Sequence, residues 1–239
     1  MNLNDWLKAG ALTCVAAVIS GAASAATITL TPSKDNTIYA ESTGNSNGAG
    51  SGLFAGRVGA AGGGAVRRAL VAFNVGGSLS TGSTVTNVTL TLFCEKEVVG
   101  NKTVELHKVT ADWGEGTSSA TGQGAPATTN DATWTSRFFG TASNWTTPGG
   151  DFSATVSASQ TVGATGTSAV FGSTAQLVAD VQGWVTSPAT NFGWLIKGDE
   201  STASTVKELG SKEDGTPANR PQLTITYNPP ASVNEWSMY

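Results

Sequence analysis

Nucleophilic catalysis has few candidate residues in this chain, because His107 is its only histidine. A Ser-His-Asp or Cys-His arrangement would therefore have to use His107. The alternation of residue types over residues 102–109 places Val104 and Leu106 inward and Glu105 and His107 outward. No serine in a strained turn lies beside His107 in the sequence, so we interpret it as an exposed strand residue. The sequence predicts a protein that is not an enzyme.

Paired carboxylates are the second candidate for catalysis. Asp112, Glu115, Asp131 and Asp151 fall in or beside aromatic loops, and a glycoside hydrolase needs only two such groups across the scissile bond. Their surroundings are rich in Gly, Ser and Thr, where acidic side chains usually accept hydrogen bonds from local backbone N–H groups. A polysaccharide lyase or hydrolase stays as an alternative on these residues.

Oxygen ligands for a hard cation are concentrated near the start of the chain. Asp35, Asn36 and Glu41 flank a short predicted strand, and Asn45 and Asn47 follow in a Gly/Ser/Asn loop. Calcium takes six to eight such oxygens, so the first three residues are candidate ligands of a structural calcium ion. The alternative is that these side chains stabilise turns.

Three tryptophans, Trp113, Trp134 and Trp145, lie in or near predicted loops. Aromatic planes pack against the C–H faces of sugar rings, and the indole N–H adds a polar contact, so these side chains could form a glycan-binding platform. The alternative is that they are buried beneath the long loops at the edge of the fold. Trp184 and Trp194, in contrast, follow helical and strand periodicity and are predicted core residues.

Binding an acidic glycan would also require local positive charge. The candidate cations are Lys102, Lys108, Arg137, Arg57 and Arg67. The predicted ligand-binding set comprises three aromatic, two basic and one histidine side chain: Trp113, Trp134, Trp145, Arg137, Lys102 and His107.

One amphipathic helix and many short strands must position these residues. The helix is predicted over residues 173–186, where Leu177, Val181 and Trp184 share a stripe from which Asp180 is excluded. A capping box formed by Ser173 and Gln176 begins it, and Pro188 ends it. We expect this helix to cap an open end of a β-sandwich.

About eleven short strands are predicted, at the spacing typical of a two-sheet antiparallel sandwich. Residues 67–75 are apolar at odd and even positions alike, which predicts a strand buried on both faces. In residues 85–94, apolar and polar side chains alternate. Further strands are predicted at residues 131–135 and 151–157. We found no linker or repeat, so the fold class is all-β, one sandwich domain over residues 26–228.

Composition and the two ends of the chain restrict the function classes further. The net charge of −4 argues against a general nucleic-acid-binding protein, which would normally have a basic surface. Residues 1–25 are typical of a secretory signal peptide, so the mature chain is predicted to be secreted and to lack a membrane span. Of the two cysteines, only Cys94 stays in the mature chain, where we expect a core thiol. Residues 229–239 form a predicted tail that faintly resembles the start of a C-terminal sorting signal, with Trp236 near its centre.

An ordered series of motifs covers nearly the whole mature chain and resembles the bacterial and archaeal DNRLRE-domain proteins. These are similar to disaggregatase-related domains and to carbohydrate-binding module family 96. The motifs are DNTIYAE (35–41), NGAG (47–50), RRALVAFNV (67–75), VTNVTLTL (85–92), VELHKVTADWGEG (104–116), DATWTSRFFG (131–140), NWTTPGGDF (144–152), LVADVQGWVTSPATNFGWLIKGDE (177–200) and NRPQLTITY (219–227).

The resemblance implies a jelly-roll-like sandwich that is secreted, non-catalytic and, in some members, binds acidic polysaccharide. We therefore expect a secreted or surface-associated module whose partner is a polysaccharide, uronic-acid-rich in the leading hypothesis. The alternative is a structural extracellular protein whose copies pair with one another through edge strands such as residues 26–30.

Overall fold

This computed structural model describes residues 24–231 of the chain. They contain thirteen β-strands, one α-helix and three short 3-10 turns. No helix within residues 24–231 is long and apolar enough to cross a membrane. The strands are β1 Ala26–Leu30, β2 Lys34–Tyr39, β3 Asn45–Ser46, β4 Gly52–Arg57, β5 Val66–Ala72, β6 Thr84–Lys96, β7 Lys102–Val109, β8 Ala125–Pro126, β9 Phe152–Val162, β10 Thr167–Phe171, β11 Trp194–Lys197, β12 Lys207–Gly210 and β13 Gln222–Asn228, with helix α1 at Ala175–Thr186 and 3-10 turns at Ala60–Gly62, Pro188–Thr190 and Pro217–Asn219.

The predicted signal peptide, apart from its last two residues, lies outside the described residues, and so does most of the predicted tail, including Trp236.

Eleven of the strands join into one curled antiparallel sheet that folds back on itself. Its first layer contains β1, β13, β6, β10 and β12, and its second layer contains β2, β5, β11, β7 and β9. Strands β3 and β8 form a separate two-stranded ladder. This architecture confirms the predicted all-β antiparallel sandwich with one helix.

Strand β4 connects the two layers. Residues 52–55 of β4 pair with β12, and residues 56–57 pair with β5 in the second layer. The corner falls at Gly56, whose φ of +123° is a conformation that L side chains rarely adopt. A Cβ at this position would also lie 2.9 Å from the carbonyl oxygen of Thr205. The corner therefore requires glycine.

The main core lies between the layers, as the alternation of β6 predicts. Val88, Leu90, Leu92 and Cys94 of β6 are fully buried. Their partners come from the second layer and from α1, and burying each large aliphatic side chain is worth about 1.5–3 kcal/mol. These partners include Ala69, Val71, Val104, Leu106, Leu177, Val181, Trp184, Trp194 and Ile196.

Helix α1 packs against β6 and β9, which belong to different layers, so it closes the sandwich as predicted. Its N-cap is Thr174, whose Oγ1 accepts a hydrogen bond from the N–H of Leu177 at 3.0 Å. The predicted cap at Ser173 is wrong by one residue, because the Ser173 hydroxyl instead accepts from the N–H of Val88. The C-cap is Ser187, immediately before Pro188, as predicted.

The capping box is also absent, because Gln176 donates to Asp180 instead, at 2.9 Å. Asp180 itself was predicted to lie off the buried stripe, and this is wrong, since it is 1% exposed. Its carboxylate accepts hydrogen bonds from Ser157 and Trp194, so a charged side chain is accommodated inside the sandwich by polar partners.

A second apolar cluster covers part of the outer face of the second layer. Ile38, Leu70 and Leu195 contribute from the strands, and Trp113 and Trp145 contribute from the long connection between β7 and β9. The strand predicted at residues 131–135 is not formed, and the residue that follows this segment, Ser136, makes an isolated bridge with Asn144. The connection is instead held by turns and side-chain hydrogen bonds.

Candidate functional site

Two of the three predicted platform tryptophans are buried. Trp113 is 0% exposed and donates its indole N–H to the carbonyl of Phe192 at 2.8 Å. Trp145 is 5% exposed and donates to the carbonyl of Thr133 at 2.8 Å. Neither ring presents a face to a ligand, so the platform prediction is wrong for both. They close the outer side of the second layer, the alternative that the sequence left open.

Trp134 is half-buried and belongs to the edge of the same cluster. The guanidinium of Arg68 lies over its ring, 5.1 Å from the centroid, and over the ring of Phe152 at 5.3 Å. Arg68 also forms two hydrogen bonds with the Glu200 carboxylate, at 2.7 and 2.9 Å. A fork–fork pair of this kind fixes the guanidinium between the two aromatic rings.

His107 shares its side of the sheet with Leu195, its register partner on β11, so the predicted outward parity is right. The predicted exposure is wrong, because His107 is 4% exposed. Its Nδ1 lies 2.9 Å from the carbonyl oxygen of Ser153, and its Nε2 lies 3.2 Å from Oε2 of Glu105. Phe152 packs edge-on against the imidazole, with centroids 5.2 Å apart. Both ring nitrogens are thus engaged in structural contacts.

The residues predicted to bind calcium are used in separate networks. Glu41 forms an ion pair with Arg67 at 2.6 Å. Asn36 is buried, donates to the carbonyl of Glu115 and accepts from Ser46. Within residues 24–231, no three His, Cys, Asp or Glu side chains are grouped so that they could hold a metal ion.

Asp35, the third predicted ligand, is fully buried. Its Oδ2 accepts from the backbone N–H of Lys212 at 2.7 Å, whereas its Oδ1 has no hydrogen-bond partner. Burial raises the pKa of this carboxyl well above its ordinary value, and the nearby carboxylates of Glu213 and Glu115 act in the same direction. The Lys212 ammonium contacts both of those carboxylates.

Most predicted cations have partners within the chain. Lys102 pairs with Asp199 at 3.0 Å, and Arg67 pairs with Glu41. Arg137 donates to the carbonyls of Asn144 and Asp112, and Arg57 donates to the carbonyl of Glu200. The Lys108 ammonium lies beside Gly183 of α1. Only the first of these, Lys102, borders the open surface described next.

Two clefts open on the outer side of the second layer, at opposite ends of β7. The first, which we call the Lys102 cleft, has a volume of about 420 Å³ and is lined by Asn101, Lys102, Thr103, Glu105, Gly198, Asp199 and Ser201. The second, the Thr110 cleft, has a volume of about 490 Å³ and is lined by Thr110, Ala111, Thr146, Thr147, Gly150, Asp151 and Phe152. Both linings are mainly polar and carry hydroxyl groups.

Two chains of contacts connect the clefts. On one side, Glu105 of the Lys102 cleft bonds His107, and His107 packs on Phe152 of the Thr110 cleft. On the other side, Glu200 lies between Asp199 and Ser201 of the Lys102 cleft and pairs with Arg68, which donates to the carbonyl of Gly149 beside the second cleft. The clefts and these connections form one surface, here named the β7 face.

Lys197 lies within the β7 face. It is the register partner of Glu105 and shares the outward side of β11 with Leu195. Its side chain is half-buried and forms no ion pair with any residue of the described chain. Among the cations of this face, Arg68 and Lys102 are paired and Lys197 is not.

The sequence-based set and the β7 face overlap in part. Lys102, His107 and Trp134 belong to the face or its edge, whereas Trp113 and Trp145 are buried in the second apolar cluster. Phe152, Arg68 and Lys197 were not predicted as ligand-binding residues. The sequence feature that marks Phe152 is its place as an aromatic residue at the start of a predicted strand, directly after Gly-Gly-Asp. Arg68 and Lys197 had no sequence signal, because their position depends on strand pairing.

Comparisons with known proteins do not identify a family. No protein-family model matches the chain, and no curated protein matches its sequence. The resemblance to DNRLRE-domain proteins therefore stays a prediction.

Proposed function

We propose that this protein is a secreted or surface-associated module that binds polysaccharide through the β7 face and has no catalytic activity of its own. The observation that carries the proposal is the pair of polar clefts at the two ends of β7, joined through Glu105, His107 and Phe152. Sugar rings need apolar surface for their C–H faces and many polar groups for their hydroxyls. The half-buried ring of Phe152 and the hydroxyl-rich linings supply both.

The charges of the face bear on the class of glycan. Arg68 and Lys102 are neutralised by Glu200 and Asp199, so the face has no large positive surplus. Lys197, which has no ion-pair partner in the described chain, can meet a carboxylate. We therefore propose a glycan that contains uronic acid, held chiefly by uncharged contacts and by one charge–charge contact at Lys197.

The test is retention of the purified mature protein by neutral and uronic-acid-containing polysaccharides, at low and raised salt. We expect retention by the acidic chains, with an affinity that falls by only a few-fold as salt screens the single contact. Phe152→Leu removes the aromatic plane but keeps an apolar side chain, so it should weaken binding about five- to tenfold. Retention by no polysaccharide would overturn the proposal.

Matched controls are available within the chain. Phe139→Leu changes an aromatic residue that is 36% exposed and lines neither cleft, so it should leave retention unchanged. Lys197→Gln removes the one charge–charge contact and should lower retention by the acidic chains; Lys96→Gln, which removes an exposed cation of the first layer, is its control. Equal losses in a variant and its control would place the binding outside the β7 face.

A second candidate function is self-assembly through β1. This strand pairs with β13 on one side, and no described strand pairs with its other edge. An unpaired strand edge offers N–H and C=O groups to another chain. Assembly that depends on protein concentration, and that disappears when residues 26–30 are deleted, would favour this function; a monomer at all concentrations would exclude it.

A further inference from the structure

We propose that the β7 face binds an internal stretch of a linear polysaccharide that lies along β7 and occupies both clefts at once. This inference rests on the proposed function and specifies its ligand. It excludes recognition of a single sugar or of a chain end as the main source of affinity.

The first argument is the separation of the clefts. Thr103 and Glu105 line one cleft near the start of β7, and Thr110 lines the other, one residue after the strand ends. The seven residue steps from Thr103 to Thr110 correspond to roughly 23 Å at the rise of an extended strand. A monosaccharide covers only a part of this length, whereas several consecutive residues of a linear chain can fill both clefts.

The second argument is the continuity of the surface between the clefts. Glu105 and Phe152, which line the facing ends of the two clefts, both contact His107 and both stay half-buried, although His107 itself is 4% exposed. The Arg68–Glu200 pair borders the same stretch from the side of β5. Lys197 lies between these two borders, since β11 pairs with both β5 and β7. A chain that leaves one cleft therefore meets a defined surface until it reaches the other.

The third argument is that both clefts are built in the same way. In the Thr110 cleft, Asp151 accepts the backbone N–H groups of Thr146 and Thr147 at 2.9 and 3.0 Å. In the Lys102 cleft, Asp199 accepts the N–H of Ser201 at 2.9 Å and the Lys102 ammonium at 3.0 Å. Each wall is thus a turn fixed by one aspartate. Two such walls reduce the cost of ordering the protein when a ligand binds.

The experiment is titration calorimetry with oligosaccharides of increasing length, prepared from a polysaccharide that the full mature chain retains. Affinity should rise at least about tenfold from the shortest fragment to the length that covers both clefts, as contacts at the second cleft are added, and then level off. Capping the chain ends chemically should leave the affinity of long fragments unchanged.

Two variants remove one hydroxyl at each end of the face. Thr103→Val alters the Lys102 cleft and Thr147→Val alters the Thr110 cleft; both residues are exposed, so folding should be preserved. Each should weaken binding of the long fragments about fivefold, the effect of losing one hydrogen bond, and the double variant should show the product of the two losses. Thr84→Val, an exposed threonine of β6, is the control.

The outcomes separate this inference from the proposed function. If polysaccharide is retained but affinity already levels off at a mono- or disaccharide, or if only one of the two threonine variants weakens long fragments, the extended mode of binding is wrong and the binding function stands. If no polysaccharide is retained at all, both are wrong.

Discussion

The carboxylate of Asp180 on α1 accepts a hydrogen bond at 3.0 Å from the indole N–H of Trp194, the first residue of β11. The ring of Trp194 packs edge-on against the ring of Trp184, which lies on α1 like Asp180, with centroids 4.5 Å apart. The helix is thereby joined to the second layer by one polar and one aromatic contact. Because these contacts are buried, they fix the position of the helix more narrowly than apolar burial alone.

Asp180→Ala should destabilise the protein by about 3 kcal/mol, because it leaves the buried donors of Trp194 and Ser157 without an acceptor. Urea unfolding followed by tryptophan fluorescence measures the change. Ala179→Ser, at the exposed neighbouring position of the helix, is the control and should change the free energy of unfolding by less than about 0.5 kcal/mol. An unchanged unfolding midpoint for Asp180→Ala would show that these hydrogen bonds contribute little.

Trp113→Ala should cost about 3–5 kcal/mol of stability, the usual loss for a large buried aromatic side chain. The ring is fully buried, and its N–H donates to the carbonyl of Phe192. The measurement is the urea midpoint, compared with Val98→Ala at a position that is 73% exposed. A Trp113→Ala protein of normal stability would return Trp113 to the ligand-binding candidates.

Gly56→Ala should destabilise the corner of β4 by about 1–3 kcal/mol, because alanine is strained at positive φ and its Cβ would contact the Thr205 backbone. Thermal unfolding provides the measurement. Gly44→Ala is the matched control, since no atom lies within 4 Å of a Cβ at that position. Equal melting temperatures for the two variants would contradict the role of Gly56 as a required glycine.

Glu95 makes stability depend on pH near neutrality. Burial, together with the hydrogen bond to Asp214 and repulsion from that carboxylate, raises the pKa of Glu95 from 4.5 to about 7. The folded state therefore holds a proton that the unfolded chain releases, and the associated stability is present below pH 4.5 and is lost as the pH rises to about 7.

Glu95→Gln should remove this component. The difference in urea midpoint between wild type and variant, measured from pH 4 to pH 8, should change most between pH 4.5 and about 7, the interval between the two pKa values. Parallel pH profiles for wild type and Glu95→Gln would show that Glu95 titrates normally.

Several features of the fold followed from the sequence. The alternation of β6 predicted which side chains enter the core, because an extended strand directs successive side chains to opposite faces. The apolar stripe of α1 and the proline after it predicted the helix and its end within two residues. The single histidine and the two cysteines restricted the catalytic and metal chemistry that is open to the chain.

The site depended on tertiary structure. His107 has the parity that its strand predicts, but it is buried because Phe152 and Ser153 of β9 pack against it. Trp113 and Trp145 lie in the loop segment where the sequence places them, but their burial depends on the long connection between β7 and β9 folding over the second layer. Periodicity reports the side of a strand on which a residue lies, and it contains no information about which distant segment covers that side. One surface contains Phe152, Arg68 and Lys197 only because β5, β11, β7 and β9 are neighbours in the sheet, although they are far apart in the sequence. The sequence by itself determined the fold class and the chemical repertoire, whereas the long-range strand pairing decided which of those residues share a surface.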